Sequence, residues 1–137
     1  MKKIASLIVL LALCIPALAA DMPNMVGNWT GTFHGVGWLK NTDYAATGKP
    51  DYWDDKYTLV IEEQNGTRFA GKLIRVANPV ATEELLGIIG SDNQSITLVD
   101  EGDYLWGWMN SSTEMELATQ AVDIDYMDVY GGIFTKE

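Results

Sequence analysis

From Val26 to its last residues the chain is cut into short alternating runs by turn-forming clusters, and that spacing limits the fold more than any other feature. The first run, Val26 to Phe33 or Val36, puts Trp29, Gly31 and Phe33 on one face and Asn28, Thr30 and Thr32 on the other. Such alternation marks a strand with one dry and one wet side. Lys56–Glu63 and Arg68–Val76 repeat the pattern, with Tyr57, Leu59 and Ile61, then Phe69, Gly71 and Leu73, on the dry face. Between them Asn65-Gly66 predicts a hairpin turn with positive φ at both central positions. Asn78-Pro79, Gly90-Ser91-Asp92-Asn93, Asp100-Glu101-Gly102-Asp103 and Asn110-Ser111-Ser112 separate the next runs, over Glu83–Ile89, Ser95–Val99, Tyr104–Met109 and Thr113–Thr119. A last run covers Asp125–Thr135, with a bend expected at Gly131-Gly132. About eight short strands at this spacing predict an all-β domain, either a sandwich or a barrel.

Glycine decides between those two. Gly71, Gly87 and Gly107 each sit mid-strand between apolar residues. A strand glycine costs stability, so it needs a structural reason, and the tight coiling of a small closed sheet supplies one. The expectation is a single antiparallel β-barrel.

What precedes the barrel sets its compartment. Met1-Lys2-Lys3, an apolar run from Ile4 to Leu13, and Ala17-Leu18-Ala19 make a Sec-type signal peptide over residues 1–20, cleaved near Ala19 or Ala20. The apolar run falls short of the ~20 residues of a membrane span. The expected location is secreted or extracytoplasmic, with no membrane contact after cleavage and residues 21–137 as one domain. Cys14, the one cysteine, leaves with the leader, so the mature chain has no disulfide and must be held by packing. Loss of Lys2 and Lys3 takes the formal charge from −10 to −12. That balance argues against nucleic acid as a partner, because phosphate binding needs clustered Lys and Arg.

The pattern breaks from Gly37 to Asp55, a segment that reads as a long connection carrying Trp38, Tyr44, Tyr52 and Trp53. A connection of this length with four aromatic residues is expected to serve as a lid or mouth-lining loop. Trp38, Trp53 and Tyr52 are therefore ligand-binding candidates. Tyr104, Trp106 and Trp108 join them: they share one strand face, which lines a pocket if it turns inward and meets a partner or a second subunit if it turns outward.

Conventional catalytic and metal signatures do not emerge. The acids Asp51, Asp54 and Asp55, and Asp123, Asp125 and Asp128, lack the calcium-loop pattern and read as solvated surface, so no metal or cofactor is expected. His34 is the single histidine and has no nucleophile set beside it. Asn28, Asn65, Asn93 and Asn110 each begin an Asn-x-Ser/Thr sequon. The last three fall at expected turns and are possible glycosylation sites in a host that uses them.

Gly27-Asn28-Trp29 on the first strand, the meander of short strands and a basic residue at the chain's end resemble the calycin group of lipocalins, fatty-acid-binding proteins and avidins. The segment Asn65–Gly71 is similar to an avidin-type turn and strand. The resemblance implies structural roles for Gly27, Trp29 and Lys136: Trp29 closes the barrel floor and Lys136 lies across it in a cation–π contact.

Three functions suit such a chain. The first is a non-catalytic barrel binding a small apolar or aromatic molecule. The second is a surface interaction or inhibitor protein without a cavity. The third is an isomerase or cyclase of the allene-oxide-cyclase type on the same barrel.

Overall fold

The computed structural model describes residues 21–39, 49–77, 79–122 and 126–137. The leader expected over residues 1–20, together with Tyr44, Asp123 and Asp125, lies outside the described residues. Eight strands follow one another: β1 (Gly27–Leu39), β2 (Asp51–Asn65), β3 (Arg68–Arg75), β4 (Ala81–Ile89), β5 (Ser95–Val99), β6 (Tyr104–Ser111), β7 (Glu114–Val122) and β8 (Tyr126–Lys136). Each pairs antiparallel with the next, and β8 returns to β1, so the sheet closes as an up-and-down barrel. Closure leaves no unpaired sheet edge.

The dry faces point inward. Trp29 and Phe33 of β1, Leu59 and Ile61 of β2, Phe69 and Leu73 of β3, Leu85 and Ile89 of β4 and their counterparts on β5 to β8 form one buried cluster. This is the reverse of a membrane-spanning barrel, whose apolar band faces out and whose lumen is polar. Glycine lets so narrow a barrel close. A Cβ on Gly107 would lie 1.8 Å from the carbonyl oxygen of Glu116, and one on Gly132 would lie 2.1 Å from that of Thr32. The β1–β8 ladder pauses beside Gly132, between the pairs Gly31↔Phe134 and His34↔Gly131.

Two expectations are corrected. The segment Gly37–Asp55 is not one long irregular loop: β1 runs on to Leu39, β2 begins at Asp51, and the two stay in register from Gly27↔Ile61 to Gly37↔Asp51. Near the barrel rim both faces of a strand approach water, so the apolar alternation fades while the backbone ladder continues. The β2–β3 turn also differs, since positive φ occurs there at Gly66 (61°) while Asn65 closes the ladder opposite Arg68.

One end of the barrel is sealed. The entry segment through Pro23 and Met25 crosses the opening, and Met25 is fully buried. The Trp29 indole donates to the Met25 carbonyl at 2.7 Å, and the Lys136 ammonium donates to the Asn24 carbonyl at 2.7 Å. That ammonium lies 5.3 Å from the Trp29 ring centroid. Gln64 straps the segment from the other side, accepting from the Met25 N–H at 2.7 Å and donating to the Pro23 carbonyl at 3.0 Å.

Candidate functional site at the barrel mouth

At the opposite end β1 presents two inward positions without side chains, Gly35 and Gly37. Trp53 faces Gly35 across the β1–β2 ladder and lays its indole over it, so that a Cβ on Gly35 would lie 2.1 Å from the ring. The same indole packs against Tyr130 at 4.9 Å between centroids. Below them Phe33 meets Tyr57 and Tyr130 edge-on, each at 5.1 Å. These rings cap the apolar core.

Inside the rim lies a recess of about 120 Å³ bordered by Phe33, Tyr57, Leu73, Arg75, Glu83, Asp103 and Tyr130. Ligand pockets ordinarily run to about 300–1,000 Å³, so this space is too small for a ligand inside the barrel. Several of its groups have partners: the Tyr130 hydroxyl donates to Asp103, and Arg75 donates to Asp55, outside the recess, at 2.5 Å. Burial, then the hydrogen bond and charge of Asp103, hold the Tyr130 phenol far above its ordinary range. Burial also raises the Glu83 carboxyl, helped by the charges of Asp100, Glu101 and Asp103.

The second glycine opens a different space. Gly37 pairs with Asp51 on one side and Asp128 on the other, so two carboxylates straddle a position that has no side chain. Their backbones stand two strand spacings apart, about 10 Å. The gap is a cleft of about 110 Å³ walled by Trp38, Trp53, Tyr126 and Met127, with Asp51 and Asp128 on its border. Gly37, Trp38, Met127 and Asp128 also border a neighbouring outer groove of about 320 Å³, where Val36, Pro50, Val122 and Val129 add an apolar lining. Asp128 Oδ1 is buried with no hydrogen-bond partner among the described residues. Burial pushes this carboxyl up from its ordinary 3.8, the charge of Asp103 adds to the rise, and a backbone hydrogen bond from Ala121 opposes it. An apolar cleft bordered by a partly buried acid with one unpartnered oxygen is chemically the most distinctive place among the described residues.

The candidate residues named from sequence fall in separate regions. Trp38 and Trp53 meet at the cleft, on strands and not on a loop. Tyr52 points outward, 76% exposed. Tyr104, Trp106 and Trp108 lie on the outer wall of β6, while Leu105, Gly107 and Met109 face in. They neighbour Thr97 and Val99 of β5, and beyond those Leu86 and Ile88 of β4. Gly27, Trp29 and Lys136 belong to the sealed floor: a Cβ on Gly27 would come within 3.0 Å of the Lys136 chain. Asn65 and Asn110 are exposed at the ends of β2 and β6, beside the hairpin turns, Asn110 donating to Glu114 at 3.0 Å, while Asn93 is half-buried with φ of 55°. His34 stands on the outer face in an exposed pair with Asp54 at 2.7 Å. Sequence reasoning missed Tyr126 and Met127 and read Asp51 and Asp128 as surface acids. The signal for them was Gly35-Val36-Gly37, two glycines at adjacent inward positions beyond Trp29, Gly31 and Phe33 on the same face.

The molecule is thus a single closed antiparallel barrel of eight strands, compatible with a calycin-like barrel, with a filled interior and a cleft at one rim. Among known proteins the chain matches no family model, and no curated protein or solved structure matches it.

Proposed function

We propose that this chain is a secreted, non-catalytic binding barrel, freed of its leader, that takes a small apolar or aromatic molecule at the rim cleft and not inside the barrel. The observation that carries this reading is the pairing of a filled interior with an apolar cleft and groove around Trp38. The groove's volume falls within the range of ligand pockets, whereas the inner recess does not. Trp38, at 45% exposure, supplies a large flat face that a ligand would cover.

Titration with N-phenyl-1-naphthylamine, a neutral apolar fluorophore, tests it. Saturable binding of one equivalent is expected, weakened by Trp38→Ala and unchanged by Trp108→Ala. Loss of binding in the Trp108 variant alone would move the function to the outer wall.

That wall supports a second reading, a surface interaction protein or a homo-oligomer. Tyr104 and Trp108, 58% and 47% exposed, adjoin Leu86, Ile88 and Val99, also exposed. Contiguous apolar patches of this kind mark interaction surfaces. Light scattering over a concentration series, comparing the natural chain with Trp108→Glu, tests this reading; a monomer at every concentration rejects self-association.

A further inference from the structure

We propose that the rim cleft binds an alkylated ammonium group, with the ligand's apolar body lying in the adjoining outer groove. This inference rests on the reading of the cleft as a binding site and adds the chemical class of its ligand.

Three features converge on a cation. The cleft is walled by three aromatic side chains, Trp38, Trp53 and Tyr126. Aromatic faces arranged around one space attract ammonium groups through the ring quadrupole, and trimethylated or otherwise alkylated ammonium gains most, because its methyl surface also leaves water. Both charged groups on the border, Asp51 and Asp128, are acids, and among the described residues no lysine or arginine lines the cleft or the groove. Among the described residues the only charges an anionic ligand would meet there are those of acids. Finally, Asp128 Oδ1 is buried and lacks a partner among the described residues. An unpaired buried carboxylate oxygen is costly, and a bound cation offsets that cost in a way that a neutral ligand cannot.

The size and shape of the space define the rest of the ligand. The aromatic cleft is small, about 110 Å³, and suits a compact head group. The groove beyond Trp38 is about 320 Å³ and mainly apolar, with Val36, Val122 and Val129 along it and Gln120 as its one neutral polar side chain. At Gly37 a Cβ would lie 2.8 Å from that of Asp128, so a larger residue there would press on the Asp128 side chain that borders both spaces.

Calorimetry on the mature full-length barrel tests the inference with three probes: hexyltrimethylammonium, tetramethylammonium and the neutral alcohol 3,3-dimethylbutan-1-ol, whose tert-butyl group has the shape of a trimethylammonium. Hexyltrimethylammonium is expected to bind on the order of tenfold more tightly than the alcohol. Asp128→Asn, nearly isosteric, and Asp51→Asn are each expected to reduce that preference while leaving the alcohol's affinity unchanged. Tetramethylammonium, lacking the body that fills the groove, is expected to bind more weakly than its hexyl relative. Equal binding of cation and alcohol, or a preference untouched in both Asn variants, overturns the ammonium inference and leaves the cleft as an apolar site. Failure of all three probes to bind overturns the inference together with the cleft reading.

Discussion

The two ends of this barrel are built from similar residues and reach opposite results. Each has a tryptophan on the inner face, Trp29 at the floor and Trp53 at the mouth, and each has charged groups near it. At the floor the charge is one ammonium, Lys136, fixed by the Asn24 carbonyl and lying over the Trp29 ring. The indole N–H and the Gln64 amide also have partners in the entry segment. At the mouth the charges are mostly carboxylates crowded against one another, two of them raised above their ordinary values, one with an unpartnered buried oxygen. Satisfied polar groups in a dry site lock a structure, whereas unsatisfied ones cost stability and persist where a site needs them. The floor is where polar groups are satisfied and the fold is tied together, and the mouth is where the proposed binding site lies.

Mutation separates the ends by size of effect. Trp29→Ala empties a fully buried position and is expected to cost about 3–5 kcal/mol in chemical denaturation. Trp53→Ala removes a half-buried ring whose contacts are with Tyr130 and the bare backbone of Gly35, and is expected to cost less, about 1–2 kcal/mol. Equal costs would remove the distinction. Gln64→Ala frees the strap over the floor and is expected to lose about 1–2 kcal/mol, with faster hydrogen exchange confined to the Met25 amide and its neighbours.

The mouth acids respond in the other direction. Asp128 and Glu83 have folded-state pKa values raised above their ordinary 3.8 and 4.5, so just above those values the folded chain holds protons that the unfolded chain has released. Stability therefore falls as pH rises through that window, is free of this penalty below it, and carries the full penalty above it. Asp128→Asn and Glu83→Gln are expected to flatten the slope in thermal melts across the window and to leave neutral-pH stability unchanged or slightly higher. A loss of stability at neutral pH in either variant would mean that the carboxylate is paired and structural. The smallest effect is expected from His34→Ala on the outer face: its partner Asp54 is as exposed as His34 itself, and such pairs contribute little.

Much of the barrel was legible because its strands obey one local rule. Alternation at Trp29–Phe33, Tyr57–Ile61 and Phe69–Leu73 marks the inner face, and those residues are inward in the structure. Ser95–Val99 is bounded by turn clusters at both ends and runs over those same residues. The rule fails at the rim. From Gly35 to Leu39 and from Asp51 to Asp55 the strands continue with glycine and aspartate, because what holds them is the β1–β2 backbone ladder and not an apolar face. Aspartate and glycine in a row look like loop, so Trp38 and Trp53 were placed on a lid. The direction of Tyr104, Trp106 and Trp108 was also open from sequence, since both faces of β6 are apolar. In the folded chain the burial of Leu105 and Met109, and the closeness of the Glu116 backbone to Gly107, show which face turns in. Asp128 was the hardest to see, because a fully exposed acid and a half-buried one are written alike and only the fold sets it opposite Gly37.

The five tryptophans report on every region at once: Trp29 at the floor, Trp38 and Trp53 at the cleft, Trp106 and Trp108 on the outer wall. Fluorine NMR of the 5-fluorotryptophan protein, titrated with hexyltrimethylammonium, therefore tests the central claim most directly. Saturable shifts of the Trp38 and Trp53 signals, with Trp29 and the two wall signals unmoved, are the predicted result. A shift of Trp29 would place the ligand inside the barrel, and shifts confined to Trp106 and Trp108 would place it on the outer wall; either contradicts the assignment of function to the mouth.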